Sequence, residues 1–177
     1  MDKPEGQPNF GPYTGGDPRR HVQLEMIAKF IAQSSGRDSV RILEVGSWTG
    51  QSALAWARFA NLHFKQGGSM LCVDTWTPYA NEIDREGHHL YRDMDKSLAS
   101  GAALEAFHSN IKFAPANVRV DCVKATIAEI SVFVTSLFDI IYIDGSHYAA
   151  DVISDIEAAK LLIEDGGLDK APRIIAT

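Results

Sequence analysis

The stretch from Val40 to Gly50 constrains this chain more than any other. Val40-Arg41-Ile42-Leu43-Glu44-Val45 is an apolar run with β-branched residues, the pattern of a strand buried on both faces. Gly46 and Gly50 bracket a turn, and an Ala-rich helical run from Gln51 to Lys65 follows at once, closed by Gly67-Gly68. Strand, glycine turn and helix together bring backbone close to a ligand and point unpaired N–H groups at it. Glu44 narrows the ligand. A carboxylate at the mouth of a strand repels a pyrophosphate and attracts a cation such as an amino group or a sulfonium. The glycine spacing also departs from the Gly-x-Gly-x-x-Gly of dinucleotide sites.

Before this element, residues 1–17 carry Pro4, Pro8, Pro12 and several glycines, which predicts a flexible N-terminal arm. Its alternative use is as a lid over the pocket through Phe10 and Tyr13. Asp17-Pro18 reads as an N-cap followed by proline at the first helical position. A helix to about Ser34 follows, with Leu24, Ile27, Phe30 and Ile31 facing inward. The single domain then spans 18–177.

Beyond the organising element, Ser69 to Asp74 is a second strand ending in an acid. In a doubly wound sheet that position meets a ribose, and the two carboxylate oxygens can accept both hydroxyls. Thr75 to Ser100 is the least regular interior stretch and reads as a substrate-facing insertion. Its His88-His89 pair invites a metal reading, but no third ligand sits at helical spacing. Lys96 to Phe113 reads as a helix with Leu104, Phe107 and Ile111 inward. Val118 to Val123 is a third strand, and Thr126-Ile127-Ala128-Glu129 is a capping box. Lys124 to Thr126 falls where an adenine ring would lie. Phe138 to Asp144 is a fourth strand, Gly145-Ser146-His147 a turn, and Tyr148 to Asp165 a helix lined by Val152, Ile156, Ala159 and Ile163. Pro172 to Thr177 opens a fifth strand.

Strands alternating with helices predict an α/β, Rossmann-like, doubly wound parallel sheet. Ligands bind such sheets beyond the carboxyl ends of the strands. Glu44, Asp74, Lys124–Thr126 and Asp144–His147 all fall at those ends, which capping alone explains poorly. The net charge of −6 argues against nucleic acid as the main partner. No run is long enough to span a bilayer, so no membrane association is expected. The two cysteines, Cys72 and Cys122, sit in strand-like runs and read as free thiols in a reducing, cytoplasmic setting.

Glu44-Val45-Gly46-Ser47-Trp48-Thr49-Gly50 resembles the first motif of class I S-adenosylmethionine-dependent methyltransferases. Phe138-Asp139-Ile140-Ile141-Tyr142-Ile143-Asp144-Gly145-Ser146-His147, followed by Asp155 and Gly166-Gly167, resembles the subgroup of cephalosporin-biosynthesis proteins and macrolide-sugar O-methyltransferases. Cys72-Val73-Asp74-Thr75-Trp76 resembles that group's second-strand motif. The resemblance implies S-adenosylmethionine as cofactor and a small-molecule hydroxylated acceptor. It places the cofactor on Glu44, Gly46, Ser47, Trp48, Gly50, Asp74, Thr75, Ala125, Thr126 and Asp144. It also implies Mg2+ on Asp144 and general-base work by His147, consistent with the need to activate a hydroxyl. The match breaks off near the fifth strand, short of further acidic ligands and two more strands. The chain therefore reads as truncated there, and a β edge carrying Ile174 and Ile175 invites homo-oligomer formation. A non-catalytic or inactive S-adenosylmethionine-binding module and a nicotinamide-dependent enzyme are the alternative readings.

Overall fold

The computed structural model describes residues 6–11, 18–87, 89–135, 137–163 and 174–176. In chain order the elements are α1 (Pro18–Ser35), β1 (Val40–Val45), α2 (Gln51–His63), β2 (Gly68–Asp74), α3 (Glu82–Gly87), α4 (His89–Ala99) and α5 (Ala102–Asn110). A 3-10 turn at Ile111–Phe113 leads to β3 (Val118–Lys124), α6 (Ile127–Ile130), β4 (Ile140–Ile143), α7 (Ala149–Ala159) and β5 (Ile174–Ala176).

The five strands form one sheet in the order β3-β2-β1-β4-β5, and every pairing is parallel. The order reverses beside β1, so β1 and its flanking strands open a crevice at their carboxyl ends. Alternation along β1 sends its side chains to two cores. Ile42 joins Leu24, Ile31, Trp56, Met70, Phe107 and Ile140 on one face. Leu43 joins Val73, Ile127, Ile130, Ile141, Ala159 and Leu162 on the other. Burial on both faces is why β1 and β4 read as nearly continuous apolar runs. Glu44 shares the phase of Ile42 and lies between Cys72 and Tyr142 in register.

Several sequence expectations are corrected by tertiary geometry. The insertion of 75–100 is more regular than its sequence suggests: after an irregular start over 75–81 it folds into α3 and α4. The helix expected over Lys96–Phe113 is broken at Gly101, whose φ of +79° caps the start of α5. Phe30 is 62% exposed. It stands roughly 120° around α1 from the buried stripe of Leu24, Ala28 and Ile31, at 100° per residue. Helix α7 stops at Ala159, where the chain turns back and the Phe138 N–H donates to the Leu162 carbonyl at 2.8 Å. The β5 strand is present and pairs Ile174 with Ile141; Gly166 and Gly167 lie outside the described residues. No described helix is long and apolar enough to cross a membrane.

The first glycine of the turn is fixed by a crossing of backbones. At Gly46 φ is +86°, and a Cβ there would stand 2.4 Å from the Asp144 carbonyl oxygen and from the Gly145 Cα. Neither neighbour is a flexible side-chain end, so the turns after β1 and β4 must separate to admit any other residue. Gly46→Ala is therefore expected to lower unfolding free energy by roughly 3 kcal/mol or more, read as a drop in the urea midpoint. A wild-type midpoint would show that the two turns are not locked.

Candidate active site

The site is assembled by the ends of four strands. Strand pairing runs on past β1 and β2: the Gly46 N–H donates to the Val73 carbonyl at 2.8 Å, and the Asp144 N–H to the Val45 carbonyl at 2.8 Å. The Ala125 N–H likewise donates to the Asp74 carbonyl at 3.0 Å. Asp74 then joins two turns with its side chain. One oxygen accepts the Trp48 N–H at 2.8 Å and the other the Trp76 N–H at 2.6 Å. The Trp76 indole N–H closes the ring by donating to the Trp48 carbonyl at 2.8 Å. Trp48 and Trp76 both hold positive φ, 41° and 43°, a conformation that costs a non-glycine residue free energy and persists only where surroundings fix it. Burial pushes the Asp74 carboxyl up, and the Trp48, Trp76 and Ser47 backbone N–H groups and Lys124 oppose the shift.

Above these tips lies a cavity of about 570 Å³. Gly46, Ser47, Trp48, Asp74, Thr75, Ala125, Thr126, Asp144 and His147 all line it, so these sequence-selected positions come together. Glu44 and Gly50 are not in the wall. Gly50 holds φ +84° as the cap of α2, with Phe107 against the position of a Cβ. Glu44 is fully buried behind the turn, with neither oxygen hydrogen-bonded. Burial pushes its carboxyl up to about 7; nearby Ser52, Ser47 and Cys72 oppose the shift, and the Asp144 charge adds to it. Thr126 makes the expected capping box with Glu129, its hydroxyl accepting the Glu129 N–H at 3.2 Å.

Other wall residues carry no local signal in the sequence. Arg20 and His21 reach the cavity from the first turn of α1. Arg20 donates to Asp144 at 2.7 Å, and the Tyr142 hydroxyl donates to the same oxygen at 3.2 Å. Burial lowers the His21 imidazole from its ordinary value, and the Arg20 and Arg58 guanidinium groups lower it further. Tyr79, Met94 and Leu98 of the insertion complete the far wall. The insertion is tied to the start of α7, beside the turn after β4, through Tyr148, which accepts the Asn81 N–H at 3.0 Å and donates its hydroxyl proton to Asp84. Phe10 is not in the wall, and Tyr13 lies outside the described residues.

The donor set does not fit the magnesium ion expected on Asp144. Its carboxylate faces a guanidinium at 2.7 Å, and no group of three His, Cys, Asp or Glu side chains able to hold a metal occurs among the described residues. Positive charge beside Asp144 is supplied by Arg20 instead. His89 is exposed, and His88 lies outside the described residues.

This strand order, with a glycine turn after β1, an acid after β2 and a cavity above, defines the Rossmann-like fold of class I methyltransferases. The chain belongs to the methyltransferase-domain family, whose model matches residues 43–168. Among solved structures, cofactor-bound Rv0187 from MTB is similar at 17% identity and TM-score 0.54, covering 86% of this chain and 54% of that one. The O-methyltransferase from Bacillus cereus, in complex with SAH, is similar at 19% identity and TM-score 0.47, covering 86% and 55%. TomG from Streptomyces achromogenes, an O-methyltransferase of tomaymycin synthesis in complex with SAM, is similar at 16% identity and TM-score 0.46, covering 86% and 54%. The chain thus spans about half the length of these solved structures. A comparison with curated proteins gives no match.

The buried Glu44 makes a pH-dependent contribution of definite sign. Its carboxyl ionises near 4.5 when unfolded and about 7 when folded. Folding therefore favours the protonated form. Stability is full below pH 4.5 and falls as pH rises toward 7, by on the order of 3 kcal/mol. Glu44→Gln is expected to flatten that limb of a thermal-midpoint profile and to gain stability over wild type at pH 8. Parallel profiles for the two proteins would contradict the burial argument.

Proposed function

We propose that this chain binds S-adenosylmethionine in the cavity and passes its methyl group to a hydroxyl oxygen of a small molecule such as a sugar or natural product. The observation that carries this reading is the convergence of the glycine turn, Asp74, Ala125–Thr126 and Asp144–His147 on one cavity. Asp74 would take the ribose hydroxyls with the lone pairs left by Trp48 and Trp76, and Ala125 and Thr126 would border the adenine. The methionine carboxylate would lie toward the start of α2, where unpaired N–H groups and the helix dipole favour an anion. Three carboxylates, Asp74, Asp144 and Asp155, face the cavity against Arg20, a balance suited to a ligand bearing an ammonium and a sulfonium. Glu44, outside the wall, would add its charge from behind the turn. A reducing, cytoplasmic setting suits the free thiols of Cys72 and Cys122.

In the transfer itself, His147 would take the proton of the acceptor O–H, whose oxygen is the nucleophile. Bound S-adenosylmethionine would supply the electrophilic methyl group and a neutral thioether as leaving group. Asp144, held by Arg20 and Tyr142, would orient the acceptor hydroxyl. His21 is a second imidazole on the same cavity, so it belongs beside His147 in any mutational test.

Asp74→Ala should weaken S-adenosylhomocysteine binding roughly ten- to a hundredfold, the loss of a charge-assisted hydrogen bond; unchanged affinity would remove Asp74 from the ribose. With labelled methyl donor and a panel of hydroxylated acceptors, His147→Ala should lower turnover about 10²–10⁴-fold with little change in cofactor affinity. Retained turnover in that variant, but not in His21→Ala, would move the base to α1. Tight cofactor binding without transfer to any acceptor would favour a non-catalytic binding module.

A further inference from the structure

Three backbone groups of the turn Ser47–Gly50 are held by side chains from outside it, and a fourth bond closes it from within. The Trp48 N–H and carbonyl are taken by Asp74 and Trp76. The Ser47 carbonyl accepts the Gly50 N–H at 2.7 Å. The Thr49 carbonyl accepts from the Asn110 side-chain amide at 2.9 Å. Asn110 ends α5 and is 2% exposed. One turn earlier on the same helix, Phe107 packs edge-on to Trp76 at 5.2 Å and stands against Gly50. Helix α5 is thus the underside of the ligand turn.

Asn110 does more than hold Thr49. Its second amide hydrogen goes to the Asn9 carbonyl at 2.9 Å, and its Oδ1 accepts the Asn9 N–H at 2.7 Å. The Asn9 side chain in turn accepts the Gly11 N–H at 3.0 Å, shaping the segment that docks. Both amide hydrogens and the carbonyl oxygen of Asn110 are therefore spent, and only one orientation of the amide serves two carbonyl acceptors on its nitrogen side. Undocking Asn9 would leave a buried oxygen and one amide hydrogen unpaired, a penalty relieved only if the amide rotates away from Thr49. Docking of the N-terminal segment and the shape of the ligand turn share one side chain.

We propose that Asn110 is a positioning residue for the cofactor turn, and that it couples docking of residues 6–11 to ligand binding in the cavity. The proposal rests on the reading that S-adenosylmethionine or its product binds there. Coupling between two sites is reciprocal: ligand should tighten the segment, and the segment should tighten ligand. The route runs behind the turn, since neither Asn9 nor Asn110 lines the cavity.

The test uses S-adenosylhomocysteine on the full chain, with amide hydrogen exchange at Asn9 and Gly11 and calorimetric affinity as paired readouts. In wild type, saturating ligand should slow exchange at these amides roughly fivefold or more. Asn9→Pro, an exposed change that deletes the docking N–H, should weaken ligand binding by a similar factor. Asn110→Asp, which keeps the acceptor and loses both donors, should do so at least as strongly and abolish the ligand effect on Gly11. A purely structural asparagine would lower stability without linking these two readouts. If Asn110→Asp does not fold, Asn9→Pro decides alone. Ligand binding to wild type with unchanged exchange, together with Asn9→Pro affinity within about twofold, would overturn the coupling. Failure of wild type to bind S-adenosylhomocysteine at all would instead overturn the cofactor reading, and the coupling with it.

Discussion

The carboxylate of Asp74 accepts one backbone N–H on each oxygen, from Trp48 in the turn after β1 and from Trp76 in the turn after β2, and the cavity takes its shape from that fork. Both donors sit in left-handed backbone conformations that bulky residues avoid, so the fork holds the turns in shapes that local preference would not choose. The free energy stored in those conformations is offset by charge-assisted hydrogen bonds in a half-buried setting. The same residue lines the cavity. One group therefore both builds the crevice and faces whatever occupies it.

Around this fork the site is electrostatically divided. Asp144 stands beside a guanidinium from α1, whereas Glu44 lies buried with its oxygens unpaired. The first arrangement sets a guanidinium against a carboxylate at the cavity wall. The second raises a carboxyl toward neutrality, and a cation in the cavity would draw it back toward the ionised form. Distance and burial, not residue type, separate the two acids.

Much of this was legible in the sequence because it is local. The apolar run of Val40–Val45, the glycines after it and the acids closing β2 and β4 each announce themselves within a few residues, and parallel topology carries them to one edge. The capping box at Thr126 is also a short-range signal. What stayed hidden depends on long-range contacts. Arg20 meets Asp144 across 124 residues, and Asn110 meets Asn9 across 101; no periodicity encodes either pairing. Glu44 carries the local signal of a strand-end acid, but pleat phase turns it into the core instead of the cavity. The helices of the 75–100 insertion leave little trace in the sequence because α3 and α4 are short and charged, and contacts such as Arg85 with Asp95 at 2.6 Å order them.

On the proposed reading the crevice takes an adenosyl amino acid and not a dinucleotide. Isothermal titration of the wild-type chain with S-adenosylhomocysteine, beside an identical titration with NAD, tests it most directly. Saturable one-to-one binding of S-adenosylhomocysteine, with no saturable heat from NAD, is the expected result. Saturation by NAD, or the absence of any S-adenosylhomocysteine binding, would contradict it.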